Sequence, residues 1–154
     1  MSFADIQPNE SVVDLYCGTG TITLLMSKKA KNVIGVEIVA KAISDAKHNA
    51  KINSIDNAEF ICDDAKTASE DFANKEFRPD IICVDPPRKG LNIDTISSII
   101  KMSPKRIVYI SCDPATLARD LQILSTSNYK IAKAETVDMF PRTPHIETVA
   151  LLKK

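Results

Sequence analysis

The chain has 154 residues, 44% of them apolar, and its 20 basic and 20 acidic side chains cancel to a formal net charge of zero. That length suits one ordinary globular domain with a substantial core, so a second domain is not expected. Charge balance removes any bulk attraction to polyanions, and neither a membrane-length apolar run nor a signal segment is visible, which makes a cytoplasmic protein the expectation.

Apolar runs and helical patterns alternate in chain order. Val12–Cys17 reads as a first strand, and Ile22–Ala30 follows at helical spacing. Val33–Val36 is a second strand, after which Val39, Ala42, Ile43, Ala46 and Ala50 mark one face of an amphipathic helix. The pattern repeats with strand Ala58–Cys62 and helix Ala65–Ala73, strand Ile81–Val84 and helix Ile93–Lys101, then strand Ile107–Ile110 and helix Ala115–Leu124. Strand–helix repetition of this kind predicts parallel strands joined by right-handed crossovers. The last runs, Tyr129–Val137 and Ile146–Leu152, have no helix between them, only the loop 138–145 with Pro141 and Pro144. A C-terminal antiparallel hairpin is therefore expected. The fold class is α/β, doubly wound and Rossmann-like, with a seven-stranded, mostly parallel sheet; fold alone assigns no chemistry.

Acidic residues recur where these strands end. The first strand closes on Gly18-Thr19-Gly20-Thr21, a glycine turn that opens into a helix and lets a ligand approach the backbone. A dinucleotide fingerprint wants a third glycine at position 23, where Thr23 stands, so the nicotinamide reading is weakened. Glu37 ends the second strand, where a carboxylate can accept from both ribose hydroxyls of a nucleoside or simply sit at a helix N-terminus. Asp63 and Asp64 end the third and can meet an adenine amine, one of them capping the next helix. Asp85 ends the fourth, held extended by Pro86 in the run Asp85-Pro86-Pro87-Arg88-Lys89-Gly90. Strands one and four flank the reversal of strand order at which such sheets bind ligands. Helix capping alone would not place an acid at the end of successive strands.

The four cysteines lack the C-x-x-C spacing of a zinc or iron–sulfur site, so no metal is expected and all four read as reduced thiols. Cys112 differs from Cys17, Cys62 and Cys83 in its setting. It ends the fifth strand directly before Asp113, a good N-cap, and Pro114, suited to the first helical position. A thiolate is favoured at such a helix N-terminus, although most non-disulfide cysteines are simply small buried hydrophobes. Glu147 is an acid within the apolar final strand, either desolvated there as a base or an edge-strand charge facing water.

These residues together resemble the catalytic domain of the RNA uracil-5-methyltransferases, which form 5-methyluridine in transfer and ribosomal RNA. The resemblance runs through DLYCGTGT at 14–21, Glu37, Asp63-Asp64, DPPRKGL at 85–91, SCDPATLARDL at 111–121 and HIE at 145–147. Amine-methylating nucleic-acid enzymes typically place an aromatic after Pro-Pro, where this chain has Arg88. The resemblance implies an S-adenosyl-L-methionine site at Tyr16, Gly18, Gly20, Thr21, Glu37, Asp64 and Asp85. It implies Cys112 as nucleophile, Glu147 as base and an RNA substrate, transfer or ribosomal. His145 is left between positioning Glu147 and a loop hydrogen bond. Family members generally add an N-terminal RNA-binding barrel, a central domain and an upstream glutamine, and some an iron–sulfur site; residues 1–154 read as the catalytic domain alone. Two rival functions stay open at this point, an amine-directed methyltransferase and a non-catalytic nucleoside- or RNA-binding module.

Overall fold

A computed structural model describes residues 3–138, 142 and 146–154. Seven strands form one sheet: β1 (Ser11–Leu15), β2 (Asn32–Glu37), β3 (Ala58–Cys62), β4 (Ile81–Val84), β5 (Arg106–Ser111), β6 (Lys130–Val137) and β7 (Glu147–Lys153). Five helices connect them: α1 (Thr21–Ser27), α2 (Ala40–Ile52), α3 (Ala65–Asn74), α4 (Ile93–Met102) and α5 (Pro114–Ser125). The strand order is β3-β2-β1-β4-β5-β7-β6, parallel through β5, with β7 antiparallel to both β5 and β6. The predicted doubly wound sheet and terminal hairpin are both present. Strand order reverses between β1 and β4, which opens a crevice at their carboxyl ends.

Period-two alternation divides the core between the two faces. Val13, Leu15, Ile82, Val84, Ile107 and Tyr109 pack against α3, α4 and α5. Val12, Val33, Ile81 and Cys83 face the other way, onto Met26 and Ala30. Beyond α1 that second face opens as an apolar groove of about 310 Å3 lined by Phe3, Leu25, Val108, Ile110 and Val149; it holds none of the strand-end acids.

Three local outcomes differ from the sequence reading. β1 stops at Leu15 because Tyr16 takes a left-handed backbone, φ 72°, which leaves the strand ladder. α1 ends at Ser27 rather than Ala30: the Asn57 amide, from the approach to β3, donates to the carbonyls of Ser27 at 2.8 Å and Ala30 at 3.1 Å. Carbonyls satisfied from outside need no further helical turn. β6 lies at the sheet edge, exposed along its whole length and bulged between Ile131 and Lys133, so its apolar residues do not face a core.

Candidate active site

Sheet register brings the strand-end residues together. Leu15 is paired with Val36 on one side and Val84 on the other, and Val84 with Tyr109. Glu37, Tyr16 and Asp85 each follow one of these paired residues directly, at the carboxyl edge. With neighbouring strands ~4.8 Å apart, β2 and β4 stand roughly 10 Å from each other across β1.

The glycine turn forms the floor of the crevice. Gly18 has φ +54°, and a Cβ built there meets no atom within 4 Å, so open space lies directly against its backbone. Gly20 serves packing instead, as the left-handed N-cap of α1, where a Cβ would come within 3.1 Å of Ala46 and Phe60. Gly18 thus leaves room for a ligand, whereas Gly20 lets α1 and α2 close on β3. Thr21 begins α1 and is exposed. Glu37, half-buried, braces the turn: one carboxylate oxygen accepts from the Gly18 N–H at 3.2 Å and the other from Val39 N–H at 2.9 Å. Each oxygen has two acceptor sites, so capacity for a ligand hydroxyl remains.

Of the two acids after β3, Asp64 is the N-cap of α3 and accepts from Lys66 N–H at 2.9 Å. Asp63 is the more enclosed and accepts from Asp64 N–H at 2.7 Å. Tyr16 reaches the crevice through its strained backbone, while its ring packs toward the helical layer of α3, α4 and α5. Burial raises its phenol pKa, and the Asp64 charge adds to the effect. Asp85 is open to solvent on one side; desolvation on the other and then the Glu147 charge raise its pKa. That coupling sets the Asp85 and Glu147 carboxylates in each other's field.

Cys112 sits where expected, one residue before the Asp113 N-cap of α5, with Pro114 beginning the helix. The Asp113 carboxylate accepts from Ala115 N–H at 2.9 Å and Thr116 N–H at 3.0 Å. Ser111 spans the turn: its hydroxyl donates to Asp113 O at 2.9 Å and accepts from Asp113 N–H at 3.1 Å. The residue between them, Cys112, is left partly exposed at the helix N-terminus. Cys17 and Cys83 are buried, and burial lifts the Cys17 thiol to about 12 and raises Cys83 as well. Those two thiols stay protonated at neutral pH. Ser111 pairs with Thr148 on the last rung of the antiparallel β5–β7 ladder, so Cys112 follows that rung on one strand and Glu147 precedes it on the other. His145 lies outside the described residues.

Two features escaped the sequence reading. Asp14, within β1, is 1% exposed and accepts from the Thr23 hydroxyl at 2.6 Å. Burial raises its pKa to about 7, and the Asp85 charge contributes. Thr23, the residue that spoils a dinucleotide fingerprint, is the partner that makes this buried acid tolerable. An isolated acid inside an apolar strand was the available signal. Ile38 and Val39, immediately past Glu37, are 62% and 53% exposed, an apolar lip beside a polar crevice. Strand periodicity alone assigns such residues to a core.

The crevice, the reversed strand order and the antiparallel last pair define a methyltransferase-type α/β fold. An rRNA methylase from Streptococcus thermophilus shares it, with TM-score 0.76 over 99% of this chain and 91% of that one, at 15% identity, a likeness of fold alone. The family model for tRNA (uracil-5-)-methyltransferase matches residues 4–154, and the chain belongs to that family. An uncharacterized RNA methyltransferase of Clostridium tetani is 48% identical over 152 residues, 99% of this chain and 33% of that protein. One from Clostridium acetobutylicum is 49% identical over 154 residues, covering 100% and 34%. The Pyrococcus abyssi tRNA (uracil-54, C5)-methyltransferase, solved with S-adenosyl-L-homocysteine, superposes with TM-score 0.83 at 35% identity, over 98% of this chain and 36% of that one. The chain thus spans about a third of the length of these relatives.

Proposed function

We propose that this chain is the catalytic unit of an S-adenosylmethionine-dependent enzyme that methylates carbon 5 of a uridine in RNA through a covalent cysteine–uracil intermediate. The observation that carries the reading is a partly exposed Cys112 at the N-terminus of α5, directly past the rung on which Ser111 pairs with Thr148, with Glu147 next to that rung on β7 and its charge acting on Asp85. A nucleophile and a base at the ends of neighbouring strands suit a reaction that needs both.

The residues present fit the cofactor. Open space against Gly18 admits a close backbone approach, Glu37 retains acceptor capacity for a ribose, and the Ile38–Val39 lip offers an apolar surface to a base. Next to that lip the Asp63 N–H donates to Glu37 O at 3.1 Å, and Asp85, directly past β4, brings negative charge that suits a sulfonium. S-adenosylmethionine would supply an electrophilic methyl group. The acceptor is a single uridine of a transfer or ribosomal RNA.

Carbon 5 of uracil is a weak nucleophile. Addition of the Cys112 thiolate to carbon 6 forms a C–S bond and turns the ring into an enolate with electron density at carbon 5. Once carbon 5 carries its fourth substituent, Glu147 takes the proton there. The electrons of the C–H bond restore the ring double bond, and the C–S pair returns to sulfur. A target uridine must leave its stack to reach Cys112, at a cost of a few kcal/mol. Transfer of a labelled methyl group from S-adenosylmethionine to RNA tests the reading. Cys112→Ala should abolish it, while Cys62→Ala and Cys83→Ala retain it; normal transfer by Cys112→Ala would overturn the covalent route and favour an amine acceptor.

A further inference from the structure

Asp120 lies on α5 and is fully buried. One of its oxygens accepts from Leu91 N–H at 2.8 Å and from the Tyr109 hydroxyl at 2.6 Å. The other faces Arg119, whose Nε donates at 2.8 Å. Arg119 carries the link onward, donating to Lys89 O at 3.1 Å and Leu91 O at 3.2 Å. Thr116, one helical turn before Asp120, donates its hydroxyl to Arg88 O at 3.0 Å. Residues 88–91 are thus fastened to the first two turns of α5 by four backbone groups.

Gly90 makes the close approach possible. Its φ is +74°, and a Cβ there would come within 2.6 Å of Arg119, 2.7 Å of Asp120 and 3.1 Å of Thr116. The fastened segment begins three residues after Asp85, and α5 begins two residues after Cys112. A buried carboxylate with donors on several sides is a rigid tie, because each donor left unpaired would be costly. The Tyr109 phenol remains a donor, since burial and then the Asp120 bond raise its pKa well beyond the ordinary range.

We propose that Asp120 is a positioning residue that fixes the loop following Asp85 against the helix following Cys112, so that the cofactor-side acid and the nucleophile meet the same reactants. This rests on the proposed roles of Asp85 and Cys112. Asp120 touches no reactant and acts through the tie.

Asp120→Asn keeps the shape and loses the charge that holds Arg119. Its adduct formation with RNA containing 5-fluorouridine, at saturating RNA and S-adenosylmethionine, should slow at least tenfold, with less than threefold change in the KM for either. In an Asp85→Asn background the same substitution should slow the reaction less than twofold further. Amide exchange at residues 88–91 should rise at least tenfold while β1 and β2 stay protected. An unchanged rate, losses that multiply, or unchanged exchange would each overturn the proposal. If Asp120→Asn does not fold, Tyr109→Phe and Arg119→Gln each remove one partner, and wild-type rate and exchange in both would overturn it. A wild-type chain that forms no adduct refutes the role of Cys112, and the tie then stands or falls on exchange alone.

Discussion

Relative to wild type, Asp14→Asn should gain stability progressively as pH rises from 5 to 7, and the gain should level off by pH 8. The wild-type acid is buried with a pKa raised to about 7, against an ordinary carboxyl value of 3.8. Between those values the folded chain holds a proton that the unfolded chain has released, so stability falls as pH rises and levels off above the folded pKa. At ~1.4 kcal/mol per pH unit, the two units from pH 5 to 7 amount to about 2.5 kcal/mol. Asparagine carries no charge, and its carbonyl can still accept the Thr23 hydroxyl, so the variant should lack this slope. Urea unfolding of both proteins from pH 5 to 8.5 measures the difference directly. A gap that stays constant with pH would refute the assignment of the buried charge.

Gly18→Ala should cost roughly 1 kcal/mol of stability for its left-handed backbone yet weaken S-adenosylhomocysteine binding severely, because the methyl enters the proposed cofactor space. Gly20→Ala should instead destabilise the fold by roughly 1–3 kcal/mol through contact with Ala46 and Phe60, as thermal melting would show. Glu37→Ala should lose about 1–3 kcal/mol of cofactor affinity by calorimetry; unchanged affinity would remove it from the site. Glu147→Gln should release product ~10²–10⁴-fold more slowly and accumulate a methylated protein–RNA complex with ordinary uridine, detectable by its mass; free turnover would deny it the role of base. In the native chain at pH 8, alkylating reagent should modify Cys112 and Cys62 and spare buried Cys17 and Cys83.

The sheet was legible because each of its parallel strands is a short apolar run followed by a helical stripe, and the loop with Pro141 and Pro144 excluded a helix between the last two. Glu37, Asp85 and Cys112 were legible for a related reason: a polar or reactive residue closing an apolar strand marks the sheet's carboxyl edge. What could not be read depends on contacts distant in sequence. Asn57 meets the last carbonyl of α1, at Ser27, and the Ala30 carbonyl beyond it, from the approach to β3. Asp120 reads as the solvent face of a helix until residues 88–91 lie across it. Asp63 and Asp64 look equivalent in sequence, and only the backbone turn makes Asp64 the cap. The pairing of Ser111 with Thr148, which brings the segments carrying Cys112 and Glu147 to one end of the sheet, is a matter of register between antiparallel strands, which sequence spacing does not specify.

The proposed reaction turns on a bond between the Cys112 sulfur and carbon 6 of the target uracil. Mass spectrometry detects that bond when the chain is incubated with S-adenosylmethionine and RNA containing 5-fluorouridine, then digested with a protease. Fluorine at carbon 5 cannot leave as a proton would, so the covalent species should persist. One nucleotide and one added methyl group are expected on the peptide containing Cys112, and no such species in Cys112→Ala. Methylated RNA with no covalent species, or an adduct mapped to another cysteine, would refute the bond.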